Sequence, residues 1–391
     1  MMKAPHSHSY PLLSALLFFF FVTWSSSGSL LSIWLHQEVG LKAGDTGIIY
    51  AVLSVSALFA QVCYGFIQDK LGLRKHLLWY ITALLILSGP AYLLFGHLLK
   101  INVLLGSIFG GIYIGLTFNG GIGVLESYTE RVARQSQFEF GRARMWGSLG
   151  WAVATFFAGL LFNINPQLNF LVASCSGLVF FILLARLRVS SAPHAMQEAV
   201  SGGKVTLEDA LRLLTLPRFW ALVFFVIGTC IYGVYDQQFP VYFSSQFATL
   251  QEGNEMYGYL NSFQVFLEAA GMFCAPWLVN RIGAKNALLT AGMIMSVRIL
   301  GSSFASSAVE VVILKMLHMF EIPFLLVGTF KYISSAFNPR LSATLFLIGF
   351  NLSKQLSGVV LSAWVGRMYD TVGFHQAYLI LGCITLSFTL L

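Results

Sequence analysis

Long apolar runs, separated by short polar connections, set the pattern of this chain. Each run is close to the roughly 20 apolar residues that a helix needs to cross a bilayer. Only helices and closed barrels can cross the hydrocarbon core, and these runs are far longer than barrel strands. We therefore predict an all-α polytopic membrane protein with twelve spans, at residues 11–35, 45–68, 76–97, 101–125, 144–163, 168–186, 219–243, 257–279, 286–306, 309–331, 341–364 and 374–391.

The twelve runs divide into two halves that resemble each other. The longest polar stretch, about 187–217, lies between runs six and seven and is typical of a linker. "DKLGLRKHLL" follows run two and "NRIGAKNALL" follows run eight, with acid or amide, base, glycine and second base in the same order. Parallel repeats of six spans are typical of major-facilitator transporters. We predict that fold with a six-helix half at 1–186, a cytoplasmic linker at 187–218 and a second half at 219–391, whose last helix we expect to be incomplete.

Composition and charge agree with a membrane protein. The chain is 57% hydrophobic and only 10% charged, whereas soluble domains carry about a quarter charged residues. Connections after even-numbered spans hold fifteen Lys and Arg, against three after odd-numbered spans. This bias places the even connections and both termini in the cytoplasm. The net charge of +7 is therefore a topology signal and does not indicate nucleic-acid binding. All five cysteines lie in apolar runs with no ligand spacing, so neither a metal site nor a disulfide framework is predicted.

A small set of ionisable side chains lies inside the spans. A charge at the bilayer centre costs about 3 kcal/mol on insertion scales, so eight unpaired charges would be prohibitive. Four acids and four bases suggest mutual pairing in a wet interior, either as structural ion pairs that hold helices in register or as a substrate site with a proton relay. The set comprises Glu126, Asp236, Glu268, Glu321, Arg144, Arg298, Lys315 and Lys354, with His318 beside them.

The segment "ILKMLHMFEIPF" concentrates three of these groups. Lys315, His318 and Glu321 are three residues apart in an otherwise apolar run. Intramembrane Glu and His are the usual carriers in proton relays, and a His beside a carboxylate can titrate near neutral pH. We interpret His318 and Glu321 as proton-handling groups and Lys315 as a structural partner. Pro323 is expected to kink or loosen this helix.

Two polar stripes indicate what is carried. Arg144, Ser148 and Trp151 share one helical face through their i, i+4, i+7 spacing. An aromatic face stacks on the CH side of a sugar ring, and Arg and carboxylates give directed hydrogen bonds to hydroxyls. The pattern predicts a neutral polyhydroxy substrate, although tryptophan in a membrane protein also serves in packing and interface belts. A second face carries Asn261, Gln264 and Glu268.

Longer segments identify a family. "FEFGRARMWGSLGWA", "DQQF", "IMSVRILGSSFA" and "ILKMLHMFEIPFLLVGTFKY" resemble the oligosaccharide–proton symporters of the major facilitator superfamily. That family includes the lactose, sucrose, raffinose and melibiose permeases of enteric bacteria, and the resemblance covers essentially the whole chain. It implies a multi-pass protein of the bacterial inner membrane that imports a disaccharide with a proton by alternating access. The resemblance further implies a functional monomer with no cofactor besides the coupling ion.

The resemblance also implies individual roles. Glu126 and Arg144 would be paired sugar ligands, and Trp151 would lie under a galactosyl ring. Arg298, His318 and Glu321 would form the coupling cluster. Asp236 and Lys315 would form a structural ion pair.

Two positions depart from the lactose permease pattern. Val265 stands where that permease has an essential Glu, and Glu268 follows three residues later in "NSFQVFLEA", which resembles sucrose permease. Gly233 stands where lactose permease has the Asp that pairs with the base at position 354. We expect Lys354 to share Asp236 with Lys315, which leaves Glu268 for the sugar. The preferred disaccharide stays open between galactosides and sucrose.

Other functions have less support. An uncoupled uniporter or an exporter of the same superfamily would not need the Lys–His–Glu group. A membrane sugar sensor should carry a sizeable soluble signalling segment, and the longest polar stretch has only about thirty residues. Catalysis is not predicted, because no nucleophile–base motif or phosphate loop stands out.

Overall fold

The computed structural model describes residues 9–188, 215–337 and 345–391. Among these residues are sixteen α-helices and two π-helices, and no strand. The helices are α1 (Ser9–Gly28), α2 (Leu31–Gln37), α3 (Ala43–Leu71), α4 (His76–Ile86), α5 (Ser88–Ile101), α6 (Val103–Ile114), π1 (Gly115–Gly120), α7 (Gly121–Ser136), α8 (Phe140–Ile164), α9 (Gln167–Arg186), α10 (Pro217–Thr229), α11 (Ile231–Ser244), α12 (Leu250–Ile282), α13 (Ala284–Phe304), α14 (Ala308–Met316), α15 (His318–Ala336), π2 (Phe346–Leu352) and α16 (Ser353–Leu390).

The long helices of the described residues fall on the predicted apolar runs. Ten helices or continuous helical segments of the described residues are long and apolar enough to cross a membrane. The pair α4 and α5, bent by 58°, passes the same test together and makes eleven if it counts as one broken span. α16 is interrupted at Gly373, whose φ of 79° and ψ of 170° are not helical. The prediction of an all-helical membrane protein is confirmed for the described residues, and the predicted count of twelve spans is compatible with this structure.

By their contacts, the described residues form two compact units. The first contains residues 9–40, 52–188 and 249–266, and the second contains 41–51, 215–248, 267–337 and 345–391. The predicted halves at 1–186 and 219–391 stay a prediction, because Leu41–Ala51 and Thr249–Phe266 each group with the opposite half. Most of the predicted linker at 187–218 lies outside the described residues.

In the first unit, α1 packs against α8 and α9. Glycine makes the closest approach possible, because a Cβ added to Gly150 would lie 2.3 Å from the carbonyl oxygen of Phe18. The helices are also joined by hydroxyls, since Ser25 Oγ donates to the carbonyl of Trp151 at 3.0 Å and contacts Thr155 Oγ1 at 2.5 Å. Small residues that let backbones approach are typical of packing between membrane helices. This contact fixes Trp151 relative to α1.

In the second unit, the start of α3 is held by the distant Asp370. The backbone N–H groups of Ala43 and Gly44 donate to its two carboxylate oxygens at 3.0 and 2.7 Å. The first N–H groups of a helix lack partners within the helix, and a carboxylate satisfies them as an N-cap does. Glycine again allows the approach, because a Cβ on Gly47 would lie 2.3 Å from the carbonyl oxygen of Ser362.

The glycine-containing basic loop after span two is anchored by Lys75. Its Nζ donates to the carbonyl of Leu184 at 3.0 Å and also to that of Leu187. A basic side chain at a helix C-terminus satisfies carbonyls that the helix leaves free, here those at the end of α9. Partial burial lowers the pKa of the Lys75 ammonium below its usual value.

Candidate functional site

A partly exposed ion pair marks the polar face of the first unit. Arg144, in the first turns of α8, donates through Nε to Glu126 Oε1 on α7, and its Nη1 lies 3.5 Å from Ser148 Oγ. The side chains of Arg144 and Glu126 are each 33% exposed. The guanidinium carbon lies 4.5 Å from the centroid of the Phe21 ring, which adds a cation–π contact. The pair therefore keeps free donors and acceptors on a surface that a ligand can reach.

Aromatic rings lie directly beside this ion pair. Trp151 is half-buried, and its ring centroid lies 6.4 Å from that of Phe21 and 5.5 Å from that of Trp24. The structure thus brings together Glu126, Arg144, Ser148 and Trp151 in one place, with aromatic neighbours from α1. Sequence reasoning missed Trp24, whose signal was its position one residue before the serine run of "TWSSSGS".

The two amides of the polar stripe on α12 belong to the same unit as the ion pair. Asn261 and Gln264 are buried, with exposures of 8% and 2%. Glu268 follows one turn after Gln264 on the continuous helix α12 and contacts groups of the second unit.

The second unit contains a buried ion-pair network centred on Arg298. This side chain is fully buried, and its Nη1 donates to Asp236 Oδ1 at 2.9 Å. On its other side, Nη2 lies 2.6 Å from Glu321 Oε1, and Nε donates to Glu321 Oε2 at 3.1 Å. The planar guanidinium suits two carboxylates at once. Lys315 Nζ donates to the same Asp236 Oδ1 at 2.7 Å, so one aspartate joins two bases.

His318 lies between three carboxylates. Its Nδ1 is hydrogen-bonded to Oε1 of the fully buried Glu321. The same nitrogen lies 3.8 Å from Asp236 Oδ2. Its Nε2 lies 3.8 Å from Glu268 Oε2. The two ring nitrogens therefore face carboxylates on three different helices, with Nδ1 towards α15 and α11 and Nε2 towards α12. An imidazole in this position can accept a proton at one nitrogen and release one from the other.

The local sequence explains why α15 presents these groups. α14 ends at Met316 and α15 begins at His318, so the span breaks at Leu317 between Lys315 and the His–Glu pair. Pro323 cannot donate to the carbonyl of Met319 four residues earlier. Gly271 of α12 approaches that carbonyl, because an added Cβ would lie 2.4 Å from the Met319 oxygen. The predicted loosening therefore coincides with a close approach by α12, the helix that carries Glu268.

Lys354 is not a partner of Asp236. Its Nζ lies 5.7 Å from the centroid of the Tyr232 ring. Among the described residues, the second base at Asp236 is Arg298. The expectation that Lys354 shares this acid with Lys315 was wrong. The position of Asp236 one turn after Gly233 on α11 suggested Lys354 as its second partner. Spacing along one helix could not show that the buried guanidinium of Arg298 pairs with Asp236 instead.

The donor set does not fit a metal ion. Asp236, His318 and Glu321 have ligand atoms within 4.8 Å of one another. However, the two carboxylates already pair with Arg298 and Lys315, so a divalent cation would have to displace two buried bases. The arrangement suits proton exchange among paired groups. Together with the fold, it defines a helical multi-pass membrane transporter that has a polar surface in one unit and a buried titratable network in the other.

Comparison with known proteins identifies the family. The model of the family described as "LacY proton/sugar symporter" matches residues 2–391. The chain is 54% identical over 364 residues to a lactose permease of Klebsiella oxytoca, covering 92% of this chain and 88% of the relative. It is 45% identical over 377 residues to a melibiose permease of Enterobacter cloacae, covering 95% and 89%. The chain therefore belongs to the LacY proton/sugar symporter family, and the predicted proton–sugar symport is confirmed at that level.

A solved structure supports the fold. A mutant form of the nucleoside transporter NupG matches with a TM-score of 0.81 at 14% identity and covers 98% of both chains. At that identity the match concerns the fold alone. It agrees with the predicted major-facilitator architecture.

Proposed function

We propose that this chain imports a disaccharide together with a proton across a bacterial cytoplasmic membrane. Galactosides such as melibiose or lactose are the favoured substrates, since relatives named for these two sugars are 45% and 54% identical. Sucrose is a further candidate because spans one and eight carry the sucrose-permease-like segments. The proton is the coupling ion, and neither a further cofactor nor a catalytic role is proposed.

In this proposal the sugar binds beside the partly exposed ion pair of the first unit. Arg144 and Glu126 bond to hydroxyls, Ser148 assists, and Trp151 lies under the apolar face of one ring. Arg supplies several fixed donors and a carboxylate several acceptors, which suits adjacent hydroxyls. A Phe21-stacked guanidinium is held in place without using all of its N–H groups. Asn261, Gln264 and Glu268 are proposed as further polar contacts from α12.

The single observation that carries the coupling proposal is the position of His318 between Glu321 and Glu268. Protonation of Glu321 would release the Arg298 guanidinium from one of its two acids. His318 can then pass a proton between Glu321 on α15 and Glu268 on α12. We propose Glu321, His318 and Arg298 as the coupling groups, with Asp236 and Lys315 as a structural pair and Lys354 as a separate base.

α12 links the two functions along one helix. Gln264 groups with the first unit, and Glu268, one turn later, contacts His318 of the second. A change in charge at Glu268 therefore acts on the helix that carries Asn261 and Gln264. Coupling needs only that the protonated and unprotonated states differ in sugar affinity. The excess of Lys and Arg in the connections after even-numbered spans supports cytoplasmic termini. We also propose that the lipid-embedded monomer is the functional form.

Transport by cells that express only this permease tests the proposal. Labelled melibiose, lactose, sucrose and raffinose are supplied in turn, and the external pH of lightly buffered, resting cells is recorded. We expect uptake of at least one sugar with simultaneous alkalinisation of the medium, and neither in cells with the empty vector. Uptake without a pH change would indicate a uniporter, and no uptake of any of the four sugars would overturn the proposed substrate class.

A further inference from the structure

Trp24 of α1 is an aromatic side chain that the proposed sugar site does not yet use. Its ring centroid lies 5.5 Å from that of Trp151, and the two ring planes meet at 80°. The side chain is half-buried, so part of its surface is accessible. Two tryptophans at nearly a right angle form a corner beside the Arg144–Glu126 ion pair.

Phe118 determines which part of Trp24 is accessible. The Phe118 ring is fully buried and stacks parallel to the Trp24 ring, with centroids 5.8 Å apart and planes 9° apart. One face of the indole is therefore covered by a side chain that no ligand can reach. The accessible surface of Trp24 belongs to its other face or to its edge.

The backbone around Phe118 is unusual. Phe118 lies in π1, Gly115–Gly120, immediately before α7, which carries Glu126. Short π-helical segments inside α-helices occur frequently at functional sites. The extra residue in the turn changes which side chains of α6 and α7 share a face, so it aligns both Phe118 and Glu126 with α1 and α8.

Gly28, one turn after Trp24, leaves the pyrrole side of the indole uncovered. A Cβ added to Gly28 would lie 3.4 Å from Trp24 Cδ1 and 3.7 Å from Nε1. A larger side chain at this position would cover that edge. Among the described residues no acceptor bonds to Trp24 Nε1, so the indole keeps a donor for a hydroxyl group.

We propose that Trp24, backed by Phe118, is a second wall of the sugar site and determines the stereochemistry of the ring that stacks on Trp151. This inference rests on the proposed function. A hexose ring with its hydroxyls is wider than the 5.5 Å between the two indole centroids, so a ring on Trp151 also meets Trp24. An aromatic surface accepts CH groups and disfavours unbonded hydroxyls. Trp24 therefore distinguishes epimers of the ring stacked on Trp151. It does not distinguish between groups attached to that ring.

Binding to purified protein, measured by titration calorimetry, tests this assignment. Two nitrophenyl α-glycosides that differ only at C4, the galactoside and the glucoside, report on the ring. The affinity for melibiose compared with that for the nitrophenyl galactoside reports on the group attached to the galactosyl ring. We expect Trp24→Ala to change the galactoside-to-glucoside affinity ratio about tenfold, the scale of discrimination that one contact provides. The ratio between the two galactosides should stay within about twofold.

Two further variants keep the test decisive. Trp24→Phe retains a ring against Phe118 but loses the indole edge and N–H, so it should change the same ratio in the same direction if Trp24→Ala does not fold. Trp146→Ala removes an exposed tryptophan of α8 and should leave both ratios unchanged. An unchanged epimer ratio, or a change in the ratio between galactosides instead, overturns the assignment. Failure of the unaltered protein to bind any of these sugars would count against the proposed function itself.

Discussion

Arg298 is the residue on which the buried network depends. It is fully buried and pairs with both Asp236 and Glu321, while Lys315 adds a second base at Asp236. Removing one partner from a buried ion pair costs about 3–5 kcal/mol, because the remaining charge is left without compensation. Arg144 differs, since a third of its side chain is exposed and its pair with Glu126 is partly solvated. The same residue type thus forms a fully buried ion-pair network in one unit and a partly solvated ion pair in the other.

Arg144→Lys should weaken sugar binding by about tenfold or more, because an ammonium cannot reproduce the planar fork of a guanidinium or its stacking on Phe21. Titration calorimetry on the purified variant measures the loss. Arg142→Lys is the matched control, because Arg142 lies on the same helix and is exposed. Near-normal affinity in the Arg144 variant would show that Arg144 is only a structural partner of Glu126.

Asp236→Asn should abolish most transport, because it leaves Arg298 and Lys315 with Glu321 as their remaining acid. Adding Lys315→Ala should restore part of the lost thermal stability and transport, since it removes the base that has lost its partner. Adding Lys354→Ala instead should restore neither, and Lys354→Ala alone should be tolerated. Initial uptake rates and thermal unfolding in detergent measure these effects. Rescue by Lys354→Ala rather than Lys315→Ala would reinstate the sharing of Asp236 that the geometry contradicts.

At the scale of elements, hydropathy predicted where the helices lie but not where they change course. π1 and π2 have ordinary apolar sequences, "GLTFNG" and "FLIGFNL", so periodicity alone could not distinguish them from α-helix. Gly373 lies at the predicted boundary between the runs 341–364 and 374–391, close to Arg367 and Asp370. Its positive φ becomes visible only in the backbone.

The candidate site was predictable only in part, because spacing along a helix shows only which side chains share a face. The i, i+4, i+7 stripe placed Arg144, Ser148 and Trp151 on one face, and this proximity follows from helix geometry alone. Contacts between helices do not follow from spacing within one helix. Trp24 against Trp151 and Arg298 against Asp236 depend on how helices pack, which small residues such as Gly150 control.

Gly150→Ala should separate α1 from α8, because the new Cβ would meet the Phe18 carbonyl at 2.3 Å and a backbone atom cannot move aside alone. We expect a destabilisation of about 1–3 kcal/mol, typical of overpacking, and weaker sugar binding because Trp151 is the next residue. Gly123→Ala is the control, since nothing lies within 4 Å of its added Cβ. That substitution should be neutral or stabilising in a helix. Equal unfolding temperatures for the two variants would contradict the packing argument.

At the scale of the whole molecule, polar chemistry is divided between the two units. The first contains the partly exposed Arg144–Glu126 pair with its aromatic neighbours, and the second contains the buried titratable network. α12 contributes residues to both, with Asn261 and Gln264 in the first and Glu268 in the second. In the proposed mechanism, adding one proton changes the net charge of the buried network, and α12 carries the effect of that change to the sugar site.

Uphill accumulation should therefore depend on Glu321. One proton moving down 100 mV releases about 2.3 kcal/mol, which sustains at most about a forty- to fiftyfold sugar gradient when one proton accompanies each sugar. In membrane vesicles with an imposed potential of this size, the unaltered protein should approach that ratio and fall to equal concentrations when a protonophore is added. Glu321→Gln mimics the protonated acid permanently, so it should exchange internal for external sugar at a normal rate yet reach only equal concentrations. The exchange assay serves as its control for folding and sugar binding. Uphill accumulation by this variant would assign the coupling proton to another group, and Glu268, on the far side of His318, would be tested next.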